Sequence, residues 1–119
     1  MALDLIDNHS NKIQIYTDAS KTTAGNTSAA FYVPSSNIEK SMRLNDKLTI
    51  FACELTALKL ALDWIKNELD SNNDKNFVIF SDSLSSLQSI ASGKTKSRPD
   101  LLNSVLELIH KCHRNLTIV

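Results

Sequence analysis

At 119 residues and 42% hydrophobic content, the chain is long enough for one compact domain with its own core and too short for two. Thirteen Lys and Arg balance thirteen Asp and Glu, so net charge gives no pointer to nucleic acid, and any such binding has to come from a local patch. Cys53 and Cys112 suit reduced thiols in the cytosol or nucleus better than a disulfide framework.

The longest apolar run, around Leu58 to Leu62, is interrupted by Lys59 and followed by Asp63, so nothing spans a bilayer. The N-terminal MALDLIDNHSNK has acids where a secretion signal needs a basic and then an apolar stretch. An intracellular protein, nuclear or cytoplasmic, is expected, or one piece of a longer intracellular polyprotein.

In chain order, residues 1–11 are polar and lack periodicity, and read as a flexible lead-in or linker; the domain occupies 12–119. KIQIYT alternates and is rich in β-formers, predicting a strand that stops at Asp18, and DASKTTAGNTS then reads as a turn. AAFYV, closed by Pro34, predicts a second strand, and NIEKSMRL a third, antiparallel one. From Thr49 the period changes. Phe51, Leu55, Leu58, Leu62, Ile65 and Leu69 form one apolar stripe of a long helix that ends in DSNNDKN.

FVIF is a continuous apolar run of strand length, the pattern of a strand covered on both faces, and it stops at Ser81 and Asp82. SLSSLQSIAS predicts a short helix stopped by Gly93. A second helix follows Pro99 and buries Leu102, Val105, Leu106 and Ile109. NLTIV begins a strand at the end of the sequence. The order is that of a mixed α/β sheet with at least one crossover.

Asp18 and Asp82 each end a strand. If those strands are parallel neighbours, both carboxylates emerge at one carboxyl edge, where open α/β sheets place their sites. Glu54 lies at the margin of the buried stripe, half desolvated and in need of a partner. Three acids gathered without a matching Lys or Arg repel one another unless a divalent cation neutralises them, and hard oxygen ligands suit magnesium. Each acid also has a plainer use: Asp18 suits an Asx-turn, Asp82 a helix N-cap, and Glu54 can reach past the stripe into water.

These residues resemble the ribonuclease H family. IYTDAS is similar to its first-strand motif, ending in the first catalytic Asp (Asp18); ACELTAL to its helix motif around the catalytic Glu (Glu54); and FSDSLSSL to the motif of the second catalytic Asp (Asp82). Order and spacing agree, 54 − 18 = 36 and 82 − 54 = 28. The wording around the three acids looks most like the ribonuclease H domains of non-LTR retrotransposons.

The resemblance implies a ribonuclease H-like fold: a three-stranded antiparallel meander, then parallel crossover strands flanked by helices. It also implies hydrolysis of RNA paired to DNA by two magnesium ions, with manganese as a substitute. Asp18 would bridge the ions, and Glu54 and Asp82 would each help to hold one. The RNA strand is told from DNA by its minor-groove 2′-hydroxyls. Thr49 and Lys47 match family positions that grip a DNA phosphate; Ser83 caps the helix or touches substrate, as the family's Asp-Ser pair suggests; Ser20 flanks the first acid.

Two departures stand out. Ile50 replaces a polar RNA contact. The family also continues into a His-bearing loop and a final helix with a fourth metal-binding carboxylate, whereas this sequence stops at Val119. None of Asp100, Glu107, His110 or His113 sits on the matching element, so a hybrid-binding or packing role without turnover is the alternative. Integrases order their acids Asp, Asp, Glu; the order here favours ribonuclease H.

Three further features complete the reading. Lys94, Lys96 and Arg98 share a loop that can meet phosphates or simply be solvated. His110, Cys112 and His113 crowd a helix end without a second ligand pair for zinc. Trp64, beside the stripe, is expected in packing rather than base stacking.

Overall fold

The computed structural model describes residues 12–22, 24–44, 48–94 and 98–119. The expected lead-in of residues 1–11 lies outside them, as do Lys47 and Lys96. Strands β1 (Ile13–Lys21), β2 (Thr27–Val33) and β3 (Ile38–Leu44) precede helix α1 (Ile50–Ser71). Strand β4 (Phe77–Phe80), helices α2 (Leu84–Ser92) and α3 (Pro99–Cys112), and strand β5 (Leu116–Ile118) follow. The sheet order is β3-β2-β1-β4-β5, antiparallel from β1 to β3 and parallel where β4 joins β1 and β5. The expected meander and crossover are both present.

Alternation along the strands decides which face is covered. Ile15 on β1, Phe31 and Val33 on β2, and Phe77 and Ile79 on β4 join Leu55, Leu58, Leu62 and Ile65 of α1 in one buried cluster. Leu102, Val105, Leu108 and Cys112 of α3 complete it. Leu106 and Ile109, expected as core, are only partly buried. The helix is rotated so that Leu108 and Cys112 take the inner positions, because α3 packs along α1. Residues of the opposite parity on β1 and β2 emerge on the other face, where Tyr16 and Tyr32 are about two-fifths exposed and Tyr16 stacks on Phe80 at 5.2 Å.

Trp64 packs against Phe31 and, edge-on, against Phe77, as expected. Phe77, Val78 and Ile79 are fully buried, in keeping with the continuous apolar run.

Two strand boundaries differ. β1 does not stop at Asp18 but runs to Lys21, and β2 begins at Thr27, so the turn is confined to the residues between them. The cause is the antiparallel partner: Asp18 pairs with Ala30, Ser20 with Ser28 and Lys21 with Thr27, so β2 continues to supply hydrogen bonds. Thr22 closes the turn, its carbonyl accepting from the Gly25 amide and its hydroxyl from the Asn26 amide, while Gly25 takes a φ of +89° that suits a residue without Cβ.

Candidate functional site

Two strands and two helices bring the site together. β1 pairs with β4 only as far as Tyr16 opposite Phe80. Two residues further along each chain stand Asp18 and Asp82, level in register just past the point where parallel pairing has ended. β2 keeps Asp18 in a strand, while Asp82 sits in the loop to α2, fixed behind by the Ser81 amide donating to the Val119 carbonyl at 3.2 Å.

Glu54 enters from α1, whose start is set by Thr49: its hydroxyl oxygen accepts the Ala52 amide at 3.2 Å, an N-cap bond. Asp18, Glu54, Asp82 and Ser83, with Thr17, Ala19, Ala57 and Ser81, border one small cleft of ≈ 10 Å³, about what a single water needs.

The cleft collects the acids without clustering their carboxylates. Among the described residues, no three His, Cys, Asp or Glu side chains stand together so as to hold a metal ion. Strand parity explains part of this. Asp18 alternates with Gln14 and Tyr16 toward the sheet face opposite α1, where it also borders a larger cavity of ≈ 470 Å³ with Tyr16, Tyr32 and Glu39. The rest lies with Glu54, whose Oε2 accepts a hydrogen bond from the Ser83 hydroxyl at the N-terminus of α2. The oxygen donors suit a hard cation in kind, but their arrangement is not a formed metal site.

The other expected contacts lie on several elements. Ser20 shares a hydrogen bond with Ser28 at 2.6 Å across the β1–β2 pair. Lys94 is exposed, directly after the Gly93 cap of α2. The Arg98 guanidinium is engaged with Asp100, Nε to Oδ1 at 3.3 Å, and holds that carboxyl below its ordinary range. Ile50, where the resemblance has a polar contact, is exposed.

Ser86 is the participant that sequence reasoning missed. It is fully buried and hydrogen-bonded to Ser83; the clue was its place three residues after the capping Ser83, where a capped amide belongs.

The fold is that of a ribonuclease H domain. It superposes on LC11-RNase H1, isolated from compost by a metagenomic approach, with a TM-score of 0.69 and 23% identity over 92% of this chain and 83% of that one. On the RNase H1 of the halophilic archaeon Halobacterium salinarum NRC-1 the TM-score is 0.64 with 17% identity, over 91% of this chain and 85% of that one. No protein-family profile and no curated protein sequence matches the chain. At these identities the likeness establishes the architecture, and function has to be argued from the site.

Proposed function

We propose that this chain is a nucleic-acid-binding module of the ribonuclease H fold that takes an RNA/DNA hybrid as its ligand and holds it without hydrolysing it. Its setting would be a larger reverse-transcribing protein of the non-LTR retrotransposon kind. The observation that carries the reading is Glu54, whose carboxylate is bonded to Ser83 rather than grouped with Asp18 and Asp82.

Support for the ligand comes from the fold and from basic and hydroxyl side chains along the sequence. The N-terminus of α1, capped by Thr49, is a place where a phosphate is favoured by the helix dipole. Ser20, Lys47, Lys94, Lys96 and Arg98 are the proposed backbone contacts, with Arg98 exchanging Asp100 for a phosphate; Ser83, nearly buried and donating to Glu54, is not among them. Selection of the RNA strand would rest on its 2′-hydroxyls.

One observation favours a second reading, hybrid-specific endoribonuclease activity: Asp18, Glu54 and Asp82 border the same cleft. In that reading the three acids hold two magnesium ions, replaceable by manganese, and hydrolyse the RNA strand. A single assay separates the two. Labelled hybrid is titrated with the protein at several salt concentrations and then incubated with Mg²⁺ or Mn²⁺. The proposal expects binding that weakens steeply between about 50 and 200 mM salt, with the RNA left intact. Absence of binding at low salt overturns it. Cleavage that Asp18→Asn abolishes installs the second reading instead.

A further inference from the structure

Ser83 has one proton and three neighbours. Its Oγ accepts the Ser86 amide at 3.2 Å, the N-cap bond of α2, and lies 2.8 Å from the Ser86 hydroxyl. It also donates to Glu54 Oε2. The Ser83 hydroxyl has a single proton; given to Glu54 Oε2, it leaves Ser83 as the acceptor toward the Ser86 hydroxyl. The result is a directed chain, Ser86 to Ser83 to Glu54, with Ser86 fully buried and Ser83 nearly so, at 6% exposed. Hydrogen bonds in series polarise one another, and away from water they are not readily replaced. The Ser83 amide is held as well, donating to Ser81 Oγ at 3.2 Å, so the hydroxyl cannot drift off with its loop.

We propose that Ser83, backed by Ser86, is a latch on Glu54: it holds one carboxylate oxygen, Oε2, against the N-terminus of α2, so that a divalent cation entering the cleft has to compete with this bond for that oxygen. Ser83 is thus a positioning residue that sets the cation affinity of the cleft through Glu54. The inference rests on the reading of that cleft as the working site, and it accounts for three acids that share a cleft without forming a cation site.

The test is Mn²⁺ affinity of the whole chain by titration calorimetry, with no nucleic acid present. Ser83→Gly removes the donor while keeping most of the cap, since glycine is nearly as good there as serine. It is expected to bind Mn²⁺ about tenfold more tightly, the scale of a hydrogen bond to a charged group. Ser83→Thr restores hydroxyl and cap and should match the parent. Ser86→Ala leaves the Ser83 hydroxyl and its amide partner in place but removes the rear donor, and should give a smaller gain. Adding Glu54→Gln to Ser83→Gly should cancel the gain.

Unchanged or weaker Mn²⁺ binding by a folded Ser83→Gly overturns the latch, and so does a gain that survives Glu54→Gln. Should Ser83→Gly fail to fold, Ser86→Ala decides: a gain supports the latch and none removes it. Hybrid binding by the parent chain is measured separately. Its loss with the Mn²⁺ gain intact sinks the functional reading alone, and its presence without the gain sinks the latch alone.

Discussion

Burial pushes the Cys112 thiol above its ordinary value of 9.0, because the inner face of α3 leaves a thiolate without water. The folded chain therefore binds this proton more tightly than the unfolded chain. The stabilisation is complete below the unfolded value and is lost as pH rises from about 9 through the folded value. Urea midpoints should fall over that alkaline range, and Cys112→Ala should flatten the fall. A slope unchanged in the variant would assign it to other groups. Serine chemistry near the acids follows the same logic of burial. Ser83 matters because it is enclosed, whereas Ser20 has its hydroxyl bonded to Ser28 in an exposed position.

Among the elements, α1 is the one on which the site most depends, since it carries Glu54. Thr49 sets its first turn through the Ala52 amide. Thr49→Ala should lower stability by about 1 kcal/mol, the usual cost of losing a hydroxyl cap, read from the urea midpoint. The same variant should weaken hybrid binding if this terminus meets a phosphate. β1 is the second decisive element because its two edges end differently. Toward β4 its pairing stops at Tyr16, and toward β2 it continues to Lys21. Asp18 is consequently held by strand geometry on one side and open on the other.

At the scale of the molecule, one cluster of side chains from the sheet, α1 and α3 supplies the core. Leu58 sits within it with no exposed surface. Leu58→Ala should cost about 2–5 kcal/mol through lost transfer energy and a residual cavity, enough to remove much of a small domain's stability of about 5–15 kcal/mol. A loss below about 1 kcal/mol would mean that the neighbours collapse into the space.

The sequence by itself determined the elements and their order, and singled out three acids that border one cleft. Those features are local: alternation in β1, the 3-and-4 spacing from Phe51 to Leu69, the unbroken FVIF, and the motif words around residues 18, 54 and 82. What only the tertiary structure decided depends on partners far along the chain. The extension of β1 past Asp18 needed β2 opposite it, and the inner face of α3 needed α1 beside it. The tie between Ser83 and Glu54 joins the N-cap of α2 to a residue of α1, and no local pattern encodes a hydrogen bond that exists only once two elements have packed.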